Sequence, residues 1–348
     1  MAADLRVGLV GFGLAGRVFH APLINSTAGL HLTGVVTNDP ARREQARTEY
    51  PQVTLHDDLG TLLAAGVDLV VVATPNRSHV PLALRAIGAG VAVVVDKPFA
   101  PTAAEGRQVL AAAAAAGVAL SVFHNRRWDS DYLTVRHLVD DGTLGTVLRL
   151  ESRYERWRPA VRDVWREHGD PGEAGGLLFD LGSHLIDQAV ALLGPVVRVY
   201  GELDQRRAGA SVDDDAFVAL THAGGARSHL WASSMAAALG PRLRVLGDRA
   251  AFTIAGLDGQ EQALRDGQRP GDPGWGQQPP GTWGHVGVGD DTTPVPARPG
   301  AYQAFYQGMV AALRDGAPVP VDPASAVRVL ELIEAAAVSA REHRVVAV

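Results

Sequence analysis

Short, continuous apolar runs recur through the first third of the chain: Arg6-Val7-Gly8-Leu9-Val10, Leu32 to Thr37, Leu69 to Ala73, Ala92 to Val95 and Val118 to Phe123. Runs this short, bounded by glycine, proline and polar residues, predict strands buried on both faces, as in a parallel sheet. Helical patterns separate them. Asp39-Pro40 reads as an N-cap followed by proline in the first turn, and Thr102 to Ala116 is an alanine-rich helix ended by Gly117. The alternation predicts βαβ winding over residues 1–125. From residue 126 the pattern changes. A helix is expected from Asp129 to Asp140, then extended segments at Val147 to Tyr154, Val196 to Leu203, Ala216 to His222, Arg227 to Ala232, Arg242 to Leu246 and Ala250 to Ile254, a strand-rich second domain over residues 126–348. Asp258 to Pro299 is rich in Gly, Pro and Gln with little periodicity, so a long surface loop or flap is expected there. Helical patterns from Tyr302 to Arg314 and Ala324 to His343 close the chain.

The first strand runs directly into Gly11-Phe12-Gly13-Leu14-Ala15-Gly16. A turn of this kind needs one glycine for its tightness, a second to leave room for a pyrophosphate and a third to seat the following helix, whose free N–H groups then face the anion. In a doubly wound sheet, ligands sit beyond the carboxyl ends of the strands. Thr37-Asn38, Thr74-Pro75-Asn76 with the nearby His79, and Asp96-Lys97-Pro98 all fall at such ends. Their convergence predicts a dinucleotide-binding Rossmann domain. An acidic residue that would repel a 2′-phosphate is missing from the second strand end, because Asp39 is spent as a helix cap. Arg42 and Arg43 lie one turn on, where they either reach a phosphate or stay solvated. The expected cofactor is NADP or NAD, with a slight preference for NADP.

Composition narrows the chemistry. The 348 residues exceed one ordinary domain. The net charge of -6 without a basic run argues against a nucleic-acid surface. Without cysteine there is no disulfide, thiolate nucleophile or thiolate metal ligand. No apolar stretch reaches membrane-spanning length uninterrupted, so a cytoplasmic protein is expected. Among 32 Lys and Arg residues only Lys97 is lysine. Arginine holds its proton in proteins, whereas an ammonium can release one, so this residue either marks a place where a proton can move or is the chance survivor of a composition biased against lysine; its position at the end of a buried strand favours the first.

A second candidate centre is Gly175-Gly176-Leu177-Leu178-Phe179-Asp180-Leu181-Gly182-Ser183-His184-Leu185-Ile186-Asp187. If a helix starts near Phe179, Asp180, His184 and Asp187 share a face. An imidazole beside a carboxylate suits proton transfer, since the acid orients the ring and raises its basicity. The competing readings are a capped helix with a core histidine, and a metal site for which no third ligand is apparent.

Together, the glycine loop, Ala73-Thr74-Pro75-Asn76, Asp96-Lys97-Pro98 and the Gly175-Gly176, Asp180, His184, Asp187 pattern resemble the Gfo/Idh/MocA oxidoreductases, across both halves of the chain. Phe19-His20-Ala21-Pro22, His124 to Asp129 and Arg158-Pro159 with Arg162-Asp163 are similar to the branch that contains scyllo-inositol 2-dehydrogenases. The resemblance implies a second domain built on a large open mixed, mainly antiparallel sheet, a nicotinamide cofactor, and assembly through that sheet into a homodimer or homotetramer. It places the family's Glu-Lys-Pro motif on Asp96-Lys97-Pro98, with an acid one methylene shorter, and its Asp and His on Asp180 and His184. The small-molecule substrate it implies is a polyol, cyclitol or sugar whose secondary alcohol exchanges a hydride with nicotinamide. His184 or Lys97 would take the hydroxyl proton. His124, Asn125, Arg126, Tyr154, Arg156, Arg162 and Trp165 are the candidates for substrate contact. Two rival readings share the fold: a non-catalytic sensor of dinucleotide or sugar, and an NAD-dependent glycoside hydrolase.

Overall fold

A computed structural model of the chain describes residues 3–167 and 169–348. The side chains of Trp165 and Pro171 also lie outside the described set, so the expectation for Trp165 stays untouched. The chain forms two compact units, residues 1–125 with 260–275 and 301–327, and residues 126–259 with 276–300 and 328–348. The first unit therefore takes in two late segments that a single cut at residue 125 leaves with the second.

The first unit is built on β1 (Leu5–Val10), β2 (Leu30–Val36), β3 (Thr54–His56), β4 (Leu69–Val72), β5 (Ala92–Asp96) and β6 (Leu120–Phe123). These pair in parallel in the order β3-β2-β1-β4-β5-β6, the doubly wound arrangement expected from the apolar runs. Leu9, Val70, Val71, Val93 and Val94 are fully buried, because helices cover both faces. The helix Pro40–Glu49 starts at Asp39, whose carboxylate accepts the Arg42 N–H at 3.0 Å, and Ala103–Ala116 starts at Thr102 and ends at a left-handed Gly117. The strand order reverses between β1 and β4, which opens a crevice at their carboxyl ends.

The second unit carries β7 (Val147–Glu155), β8 (Val196–Asp204), β9 (Asp215–His222), β10 (Arg227–Ser233), β11 (Leu243–Gly247), β12 (Ala251–Ile254), β13 (His285–Val288), β14 (Asp291–Pro294) and β15 (Val346–Ala347). Their order is β14-β13-β12-β11-β7-β10-β9-β8-β15, and only β7 and β10 run parallel. The helix Ser183–Leu193 belongs to this unit and is buried along Leu185, Ile186 and Ala189.

One expectation is corrected. The segment 258–299 is not a structureless flap: it contains a helix, Gln260–Arg265, and the hairpin β13–β14, which extends the large sheet. β14 is exposed along its whole length, so it lacks the apolar alternation by which strands are recognised. Its turn is Gly289-Asp290, with Gly289 at φ +59°.

Candidate active site

In the first unit the glycine loop closes on the strand ends. Gly11 has φ +99°, and a Cβ there would stand 2.3 Å from the Ala73 carbonyl oxygen; one on Gly16 would stand 2.0 Å from the Gly11 carbonyl oxygen. Both positions exclude any side chain. Phe12 is buried edge-on against Tyr50, with ring centroids 6.2 Å apart, while Leu14 is exposed and Ala15 half-buried. A Cβ on Gly13 would meet nothing nearer than the Arg42 guanidinium at 3.7 Å. The loop thus presents bare backbone beside an exposed arginine, an arrangement that fits a dinucleotide phosphate. Arg42 and Arg43 part company here: Arg43 is tied to the Thr37 carbonyl and to Asp57, both at 3.0 Å, whereas Arg42 has only a loose 3.8 Å approach to Asp39. Thr37 is buried and Asn38 exposed at the same strand end.

The loops after β4 and β5 are joined by His79. Its ring nitrogens stand 2.9 Å from the Pro98 and Thr74 carbonyl oxygens, both pure acceptors, so both bonds form at once only for the doubly protonated ring. His79, a candidate for cofactor contact, is buried and braces the two loops. Thr74 accepts the Ser78 hydroxyl at 2.8 Å, Pro75 leads into a short turn, and Asn76 is buried in it. Asp96 ends β5 and accepts the Lys97 N–H at 2.9 Å; Lys97 is half-buried, and its peptide with Pro98 is cis. The β5–β6 register sets Asp96 opposite Phe123, so the buried His124 and Asn125 leave the sheet at the same edge as Lys97.

Behind Asp96 lies a pair, His20 and Tyr306, whose meeting no local pattern announced. The fully buried His20 has Nε2 3.7 Å from the Asp96 carboxylate and Nδ1 2.6 Å from the Tyr306 hydroxyl. If Nε2 carries the proton towards the acid, the tyrosine donates to Nδ1. Burial alone pushes the Asp96 carboxyl up, but His20, Lys97 and His79 hold it below the ordinary carboxylate value. Burial and the nearby Asp96 drive the Tyr306 hydroxyl well above its usual pKa, so it stays neutral.

In the second unit a π-helical turn, Leu178–Gly182, leads into Ser183–Leu193. The wide turn breaks the 3.6-residue spacing on which the expectation of one shared Asp180, His184 and Asp187 face rested. Asp180 lies 3.6 Å from Arg166. His184 is buried, its ring edge-on to Tyr154 at 6.5 Å. Asp187 is committed elsewhere, to a two-pronged bond with Arg127 at 2.8 and 2.6 Å. The turn is entered through Gly176 at φ +99°, where a Cβ would fall 2.0 Å from an Asp213 carboxylate oxygen. Asp213 in turn accepts the Leu178 N–H at 2.7 Å, and burial pushes its carboxyl up to about 6.

Tyr154, expected to meet substrate, is 5% exposed and forms part of a buried network. The Arg242 guanidinium covers its ring at 4.1 Å and Arg126 lies at 5.0 Å; its hydroxyl bonds Arg242 at 2.9 Å and Asp129 at 3.3 Å. Arg242 also pairs with Asp131 at 3.0 Å and donates to Gln188 at 2.8 Å and to Ser152. Arg126 is itself within 3.4 Å of Asp129. Arg156 and Arg162, by contrast, line a pocket with Asp180. Arg242, Asp213, His20 and Tyr306 carry much of this geometry; His20 alone stood in a recognisable stretch, Phe19-His20-Ala21-Pro22.

Known proteins match this arrangement over the whole chain. Residues 5–124 fit the oxidoreductase family's NAD-binding Rossmann fold, and residues 136–348 fit its C-terminal alpha/beta domain. The uncharacterized oxidoreductase YdgJ of Escherichia coli is 40% identical, covering 99% of this chain and 98% of its own. The scyllo-inositol 2-dehydrogenase (NADP(+)) IolW of Bacillus subtilis is 35% identical, covering 98% and 95%. The solved oxidoreductase YvaA from Bacillus subtilis superposes with a TM-score of 0.94 at 34% identity, covering 100% of this chain and 99% of the other. Both halves of the molecule and its strand-end motifs therefore place the chain in the Gfo/Idh/MocA family of oxidoreductases.

Proposed function

We propose that the protein is an NAD(P)-dependent dehydrogenase acting on a secondary alcohol or ketone carbon of a polyol, cyclitol or sugar. The observation that carries this reading is the half-buried Lys97, the chain's one ammonium, at the carboxyl edge of a sheet whose glycine loop offers bare backbone to a dinucleotide. Nicotinamide, when bound, supplies the hydride acceptor or donor. Gly11 to Gly16, Thr37, Asn38, Thr74 to Asn76 and Asp96 would hold the nucleotide, with Asp96 kept anionic to accept ribose hydroxyls. Lys97 would donate to the substrate oxygen and stabilise developing alkoxide charge. His184 would take the hydroxyl proton, and Asp180, kept beside Arg166, would orient it.

NADP is the favoured cofactor: Arg42 is exposed beside the glycine loop and only loosely engaged, as a 2′-phosphate requires, and the relative IolW is named for NADP(+). The large sheet carries half-exposed Tyr200, Phe217 and Trp231 on one face, which suits assembly into a homodimer or homotetramer. Among the described residues no helix is long and apolar enough to cross a membrane, in keeping with a cytoplasmic reading.

Lys97→Met is the direct test. Turnover, followed by absorbance of the reduced nicotinamide with NAD and NADP, should fall by about 10³-fold, while nucleotide binding measured by fluorescence titration is retained. Unchanged turnover refutes the assignment.

A further inference from the structure

The pocket beside Asp180 has a charge pattern that a neutral polyol leaves unused. Its lining residues include Arg156, Arg162, Arg166 and Arg207 together with Glu167, Asp180 and Asp213. Three of the four arginines are accounted for. Glu167 accepts two bonds from Arg162, both 3.0 Å, and one from Arg207 at 2.9 Å; Arg207 also bonds Asp214 at 2.9 Å, and Arg166 lies 3.6 Å from Asp180. Arg156 differs. It follows β7 directly, its backbone N–H fixed to the Ser233 carbonyl at 2.9 Å, and its buried Nε has no hydrogen-bond partner among the described residues. Burial first, then the neighbouring Arg158 and Arg162, pull its pKa down, with Asp180 acting in the opposite sense. A guanidinium keeps its proton even so. A partly desolvated cation lacking a hydrogen-bonded partner is unfavourable in the empty protein and favourable once an anion arrives.

We propose that Arg156 binds a carboxylate carried by the substrate, so that the substrate class is an acidic sugar or polyol, an aldonate or uronate. This rests on the dehydrogenase reading above. A guanidinium fork matches a carboxylate in two parallel bonds. Arg162, Arg166 and Arg207 each have a carboxyl beside them, in Glu167, Asp180 and Asp214, which among the described residues leaves the single charge of Arg156 without a hydrogen-bonded carboxylate, a charge that a monoanion matches. Asp213 is held by the Leu178 N–H and Glu167 by two arginines, so neither competes for Arg156. The carboxylate takes no part in the redox step: the carbinol C–H bond breaks as hydride leaves for the oxidised nicotinamide, the hydroxyl proton passes to the protein base, and a ketone forms.

The test is a panel of glucose, xylitol, myo-inositol and scyllo-inositol, of gluconate, glucuronate and galacturonate, and of glucose 6-phosphate, each with NAD and NADP. Full-length wild-type, Arg156→Gln and Arg156→Lys proteins are compared at matched far-UV circular dichroism. At least one acid should exceed its neutral counterpart in kcat/KM by about 10- to 100-fold, mainly through KM. Arg156→Gln should bring that ratio towards one, and Arg156→Lys, which keeps the charge but loses the fork, should retain part of it. Neutral substrates used as well as the acids, or an acid preference untouched by Arg156→Gln, overturns the inference and leaves the dehydrogenase reading standing. Preference for the phosphate ester overturns the carboxylate assignment. No turnover of any member by a protein that still binds NADPH brings down the underlying reading, and this inference with it.

Discussion

The two polar centres of this protein hold their carboxylates by different means. Around Asp96 no guanidinium takes part among the described residues: its neighbours are the His20 imidazole, backed by a tyrosine hydroxyl, the N–H of the next residue and the charge of Lys97. Around the helix Ser183–Leu193 the neighbours are guanidiniums: Arg127 on Asp187, Arg166 on Asp180, and Arg242 gathering Asp131, Tyr154 and Gln188. The first arrangement joins an acid at a strand end to rings on two helical segments, His20 at the end of Ala15–His20 and Tyr306 on Gln303–Asp315. The second exists only because long cations reach acids that would otherwise be stranded in the interior. Losing a neutral hydrogen bond costs far less than leaving a buried charge unpaired, so the two regions should respond to substitution on different scales.

The largest effect is expected at Arg242. Arg242→Met removes a fully enclosed cation and leaves Asp131 without it, which should cost about 3–5 kcal/mol of stability by urea unfolding. A loss below about 1 kcal/mol would erase the distinction between the two regions. Next in size is Asp213. Its carboxyl is raised from 3.8 to about 6, so the folded chain holds the proton more tightly than the unfolded one. That contribution is complete below about pH 4 and lost as pH rises through 6. Asparagine keeps an acceptor for the Leu178 N–H and cannot titrate. Asp213→Asn should therefore gain on wild type by about 2–3 kcal/mol between pH 4 and pH 7.5, measured by denaturation at both. A parallel pH response in the two proteins would show that this carboxyl is not strained by burial. The smallest effect should come from the first region: Tyr306→Phe removes one hydrogen bond to His20 and should cost about 1–2 kcal/mol. A loss as large as that of Arg242→Met would show that the ring-based centre is no more tolerant.

Local rules made the first sheet legible. Five of its six strands were visible as apolar runs between glycine and proline, and Asp39, Thr102 and Gly117 act as the caps their positions suggest. The hairpin β13–β14 escaped notice because an exposed edge needs no apolar face. The network around Tyr154 was not legible, because an aromatic on a strand looks the same in sequence whether it faces a cleft or lies between two arginines. His79 likewise joins two loops through carbonyl contacts that its local spacing does not reveal.

By itself the sequence determined the parallel winding, the glycine turn and the strand-end positions of Asp96 and Lys97, since each follows from residues a few places apart whose spacing sets backbone geometry directly. Only the tertiary structure decided which acids meet which cations. Tyr306 reaches His20 across 286 positions and Arg242 reaches Tyr154 across 88, and no periodicity links residues so distant. Such pairings are selected by packing and by the energetic need to neutralise buried charge, conditions that arise only once the chain has folded.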